Sequence, residues 1–228
     1  MNPIAATAGT TATPFLPDTV KRRVIATGGD ADTLADIYDE QTNMAVWRRT
    51  LSAELAGCVQ SVLSAKHDLE IARRVTPGNT AETIEEALRL SGTIAFSQDV
   101  AALVDMFCCL FDLTHAGLRL RVLNRAMCPR FHVDNVPCRL VTTYHGTATQ
   151  WLAHEDIDRT RLGRGNQGKP DSESGLYNRA DAVRQLGHGD VALLKGELWI
   201  GNENAGLVHR SPAVAEGESR LLLTLDIG

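Results

Sequence analysis

Gly117-Leu118-Arg119-Leu120-Arg121-Val122 is where the pattern of this chain changes. Leu118, Leu120 and Val122 alternate with Arg119 and Arg121, the period-two signature of a half-buried strand. Similar short segments follow around 129–133, 137–145, 148–153, 190–194, 197–200, 205–209 and 219–227, most of them bounded by Gly, Pro, Asn or Asp. The stretch from Asp156 to Ser174 is polar and Gly-rich, and reads as a long loop able to cover the mouth of a site. About eight short antiparallel strands of this kind make a compact barrel or jelly roll.

Upstream of Gly117 the spacing is helical. From Asp32 to about Lys66, Leu34, Ile37, Met44, Trp47, Leu51, Leu55, Val59 and Leu63 recur at intervals of three, four and seven, with Asn43 a candidate break. Thr76-Pro77-Gly78-Asn79 is a turn, and a second amphipathic helix opens at Thr80. Residues 97–115 read as a third helix, apolar enough all round to be buried on every side. Residues 1–17, dominated by Ala, Thr, Gly and Pro, offer little to bury and read as a disordered tail. The expected fold class is α+β: a helical N-terminal segment, 18–116, packed on a C-terminal jelly roll, 117–228.

Composition narrows the function. The 228 residues carry a net charge of -5, which argues against a partner held by a basic face, so no nucleic acid is expected. No run of 18 apolar residues suggests a membrane span, and the N-terminus lacks the charged and apolar regions of a secretory signal. The five cysteines are odd in number and lack a repeated spacing, which fits a reduced, cytoplasmic protein. A small-molecule substrate is the expected partner. Neither its identity nor the oligomeric state is written in the pattern.

Two segments carry the chemistry: Pro129-Arg130-Phe131-His132-Val133-Asp134 and Gly206-Leu207-Val208-His209. His132 and Asp134, one residue apart on a strand, point the same way, and a histidine from a distant strand completes a face of three ligands. Such a face leaves positions open on a mononuclear Fe(II). His154/Asp156 and His188/Asp190 share the spacing, but only His132/Asp134 has strand patterns on both sides. Cys128 and Cys138 bracket the pair, so a zinc site of Cys128, His132, Asp134 and Cys138 competes with it. A catalytic zinc on His132, Asp134 and His209 does too. Arg220 opens the apolar run Leu221–Leu225. It either pairs with Glu216, Glu218 or Asp226, or clamps a dicarboxylate.

His132-x-Asp134, His209 and Arg220, with Gly189-Asp190-Val191 opening a strand before the second histidine, resemble the double-stranded β-helix Fe(II)/2-oxoglutarate dioxygenases. Over nearly its whole length, including Asn43–Arg49, the chain also resembles a bacterial family of unknown function. The first resemblance implies that His132, Asp134 and His209 bind Fe(II) and that Arg220 meets the far carboxylate of 2-oxoglutarate. Asn124 and Tyr144 are further candidates for cosubstrate contact; a turn residue and a core aromatic are their structural alternatives. No catalytic side chain is implied beyond the metal ligands. DNA-repair members of that superfamily carry a second arginine shortly after the clamp, where this chain has Asp226 and apolar residues. The competing class is a cupin-like metal-binding protein, holding Fe or Zn(II) for metal homeostasis without turnover.

Overall fold

The computed structural model describes residues 22–227, so the tail expected over 1–17 lies outside the described residues. In chain order the elements are β1 (Val24–Gly28), β2 (Thr42–Trp47), α1 (Ala53–Ala65), β3 (Glu70–Val75), α2 (Thr80–Leu88), α3 (Ile94–Leu110), β4 (Ala116–Leu123), β5 (Cys138–His145), β6 (Gln150–Leu152), β7 (Val183–Gln185), β8 (Val191–Lys195), β9 (Val208–Arg210) and β10 (Arg220–Ile227). A 3-10 segment, Ala31–Tyr38, joins β1 to β2. The architecture is mixed α/β with two sheets. The larger runs β1-β2-β8-β5-β10-β4-β3 and the smaller β7-β6-β9.

Alternation along the strands builds the layers. Leu221, Leu223 and Leu225 of β10 join Leu118, Leu120, Leu140 and Tyr144 beneath α1 and α3. Leu222, one residue out of phase, packs with Val141, Ala192, Leu194 and Trp151 between the two sheets. The large sheet is therefore covered by helices on one face and by the small sheet on the other. Its central strands are buried on both faces and read as apolar runs rather than alternating ones.

The helices follow their local chemistry. Ser52 caps α1, its side-chain oxygen accepting from the Leu55 N–H. In α3, Phe96, Val100, Leu103, Val104 and Phe107 form the buried stripe, while Ile94 is 58% exposed. That helix buries one face, not its whole circumference. Truncating Phe107 to alanine would cost about 3–5 kcal/mol in transfer and cavity terms.

The segment expected to be helical throughout contributes three strands to the large sheet. Its run 32–66 divides into the 3-10 segment, β2 and α1. β2 pairs in parallel with β1 and antiparallel with β8, and β3 pairs with β4. Thr42 to Val46 are all buried, so nothing along β2 alternates and Met44 and Trp47 fell into helical spacing by coincidence. Residues 197–200, expected as a strand, form a turn with Leu198 and Ile200 exposed. Among the described residues no helix is long and apolar enough to cross a membrane.

Candidate metal centre

Strand pairing brings the two histidines together. The His132 N–H donates to the His209 carbonyl and the His209 N–H to the His132 carbonyl, each at 3.0 Å, forming an isolated antiparallel bridge at the edge of the small sheet. Residues directly opposite in such a pair carry their side chains on the same face. The ring centroids are 4.6 Å apart. Asp134, two residues on, returns to the same side. Its backbone is tied down where its carbonyl accepts from the Glu197 N–H at 2.9 Å. Gly196 makes that approach possible, because a Cβ there would collide with the carbonyl oxygens of Val136 and Asp134.

One ligand atom from each of His132, Asp134 and His209 lies within 4.8 Å of the others, and no other such trio occurs among the described residues. His132 Nδ1 is 2.8 Å from the Arg130 carbonyl and His209 Nδ1 is 3.2 Å from the Leu207 carbonyl. A carbonyl only accepts, so each Nδ1 carries a proton, and each Nε2 faces Asp134 as the nitrogen that would give up its proton to bind a cation. Nε2 of His209 is 3.2 Å from Asp134 Oδ2, and Nε2 of His132 is 3.6 Å from Oδ1. Three atoms bound at right angles about 2.1 Å from one ion would stand roughly 3 Å apart. Asp134 Oδ2 is buried with no hydrogen-bond partner, and a cation is one way to satisfy such an atom. The residues fit a divalent metal.

Arg139 completes the surroundings. Its Nη1 is 2.7 Å from Asp134 Oδ1, and its Nε is 2.6 Å from Asp226 Oδ1. One carboxylate oxygen, Oδ1, is thus held by a fixed donor while the other, Oδ2, faces His209, and ligating carboxylates are commonly held by such a donor. Burial would push the Asp134 carboxyl up, but contacts with His132 and His209 and the charge of Arg139 hold it well below the usual carboxylate range. The Asp134 carboxylate in turn raises the His132 imidazole, against burial.

Arg220 lies on the same inner face. Only 1% exposed, it donates from Nη1 to Ser211 Oγ at 3.0 Å, and from Nη2 to Thr149 Oγ1 at 2.8 Å and Thr143 Oγ1 at 3.1 Å. Ser211 follows His209 by two residues and shares its side of the chain. Nε of Arg220 is buried without a partner, and burial draws the guanidinium down to about 10. Of the acids expected to pair with it, Asp226 is engaged by Arg119 and Arg139. Among the described residues no carboxylate pairs with Arg220. A desolvated cation without a counter-charge calls for one.

A family model described as "Protein of unknown function (DUF1826)" matches residues 28–226. The chain belongs to that family. No curated protein matches this DUF1826 member. Among solved structures it is similar to a rice dioxygenase for auxin oxidation, at 12% identity over 90% of this chain and 82% of that one, with a TM-score of 0.49. It is also similar to full-length T7H of Neurospora crassa in complex with alpha-KG and 5-formyluracil, at 10% identity over 92% and 86%, TM-score 0.47. HygX of Streptomyces hygroscopicus with iron bound matches at 12% identity over 86% and 85%, TM-score 0.45.

The remaining candidates of the DUF1826 chain lie elsewhere. Tyr144 faces the helices, its hydroxyl donating to Asp99 at 2.6 Å and its ring packed edge-on against Phe96. Its neighbour Thr143 holds the inward position, because a one-residue shift along a strand reverses the face. Asn124 is an exposed bend residue after β4. His188 meets the Tyr144 carbonyl and Asp156 pairs with Arg184, so neither alternative His-x-Asp pair joins a ligand cluster. Cys138 packs beneath the helices and Cys128 is exposed. Thr143, Thr149, Ser211 and Arg139 were not singled out from the sequence as site residues. Period-two counting from His209 to Ser211 would have found one of them.

Proposed function

We propose that this DUF1826 member is an Fe(II)- and 2-oxoglutarate-dependent oxygenase of the hydroxylase type. It acts on a small molecule in the cytoplasm, where its free cysteines stay reduced. In this reading the two sheets are the halves of a double-stranded β-helix, with the helices packed outside it. His132, Asp134 and His209 would hold the metal, and Arg220 would pair with the distal carboxylate of 2-oxoglutarate.

The observation that carries the reading is the buried, acid-free guanidinium of Arg220 on the inner face that also presents the triad. The triad alone suits several divalent ions, zinc included. A cation ringed by Thr143, Thr149 and Ser211 hydroxyls, with no counter-charge among the described residues, is matched to an anion with several acceptor lone pairs. Bound iron with 2-oxoglutarate supplies the oxidising chemistry. The chain's own part is to fix two imidazole lone pairs through the His132–His209 bridge, to orient Asp134 through Arg139, and to keep the clamp dry between the sheets.

Anaerobic titration of the purified protein with Fe(II) and then 2-oxoglutarate tests this through the visible charge-transfer band of the chelate. The band should form in wild type, vanish in His132→Ala and need much more 2-oxoglutarate in Arg220→Met. Metal binding that ignores 2-oxoglutarate would instead support a metal-binding protein without turnover.

A further inference from the structure

A cavity of about 420 Å³ opens beside the metal centre, lined by His132, Val133, Arg159, Leu162, Glu197 and Asn204 among others. Its size suits a small organic molecule rather than a polymer. Arg159, from the long polar loop, stands in the wall. Its Nη2 donates to the Gly206 carbonyl at 2.6 Å and lies 3.2 Å from His154 Nδ1, which fixes the guanidinium in place. Its Nε is buried without a partner, and among the described residues no carboxylate is within ion-pair reach. Burial brings Arg159 down to about 10, with the Glu197 charge opposing and that of Arg23 adding.

Two features of the wall restrict what could fill it. Val133 and Leu162 offer apolar surface beside the cation, which suits a ligand with an apolar body and an anionic end. Glu197 faces the same space and disfavours a second negative charge. We propose that this cavity is a binding site for a small monocarboxylate, its acid group held by Arg159 and its apolar body against Val133 and Leu162, next to His132. That the bound acid is the substrate rests on the oxygenase reading; the binding itself does not.

The test uses octanoate, 3-phenylpropionate and 4-phenylbutyrate against their primary amides, followed by calorimetry and ligand-observed NMR on the metal-free full chain. Each acid should bind about tenfold or more tightly than its amide, the worth of one charge-assisted pair. Arg159→Gln should erase that preference, Glu197→Gln should strengthen it, and Arg220→Met should leave it. Equal binding of acids and amides, a preference intact in Arg159→Gln, or one lost in Arg220→Met would overturn the proposal. Should Arg159→Gln fail to fold, the wild-type preference and its rise in Glu197→Gln decide. Adding Mn(II) separates the two readings. Broadened acid protons put the ligand beside the metal, whereas an Arg159-dependent preference in a protein that binds no metal upholds the site and defeats the oxygenase.

Discussion

Replacing Arg220 by methionine separates a cation kept for a ligand from one kept for the fold. Burial lowers the Arg220 pKa from the ordinary guanidinium value to about 10. At about 1.4 kcal/mol per unit, the charged form costs the folded protein about 3 kcal/mol. The three hydroxyl contacts return roughly 1 kcal/mol each. These sums nearly cancel, so metal-free Arg220→Met should melt within a few degrees of wild type, methionine filling the space of the aliphatic stem. The ligand response should differ sharply. In the Ni(II)-loaded wild type, 2-oxoglutarate at a hundred times its Kd adds about 2.7 kcal/mol, which raises Tm by roughly 5–10 °C for a chain of this size. A hundredfold weaker Kd in the variant reduces that to about 1–2 °C. Differential scanning fluorimetry reads both quantities. Arg220→Met melting more than about 10 °C below wild type would make Arg220 structural. A full 2-oxoglutarate response in the variant would refute the clamp outright.

Arg139→Gln should weaken Co(II) binding about 10- to 100-fold with partial recovery in Arg139→Lys, measured by the absorption of the bound ion, because Asp134 loses its fixed donor. Metal affinity should fall with falling pH through a midpoint above 6.5, since the Asp134 carboxylate raises His132 and protons compete for its Nε2. The metal-free fold shows the opposite sign: the raised His132 stabilises it fully below pH 6.5 and less as pH climbs through the folded value, a trend visible in denaturant melts. Tyr144→Phe should leave 2-oxoglutarate affinity unchanged while costing about 1–3 kcal/mol of stability, as the Asp99 carboxylate loses its hydroxyl donor.

Much of the β framework was legible because its strands alternate or run apolar between turn residues. β4, β5, β8 and β10 fall within or near their expected ranges, as do α2 and α3. The first three strands were hidden for separate reasons. β2 is buried on both faces and shows no period, whereas β3, Glu70-Ile71-Ala72-Arg73-Arg74-Val75, is short and charged. β1 is only five residues long, too short for a period to show. At the site, the meeting of His132, Asp134 and His209 could be anticipated because a His-x-Asp pair flanked by strands limits which distant histidine can join it. Thr143 could not be told from Tyr144, since the choice of inward face depends on a register that only pairing reveals. Arg139 stands in no motif along the chain, and its place exists only once Asp134 and Asp226 flank it in space.

The reciprocal hydrogen bonds between His132 and His209 have a practical consequence for handling the protein. Their ring positions are dictated by main-chain hydrogen bonds rather than by metal–ligand bonds, unlike a zinc finger, whose folding free energy comes from its metal. A chelator should therefore strip this centre and leave a folded apoprotein. Reloading that apoprotein with iron, cobalt or manganese would then be an exchange at a finished site, without a refolding step.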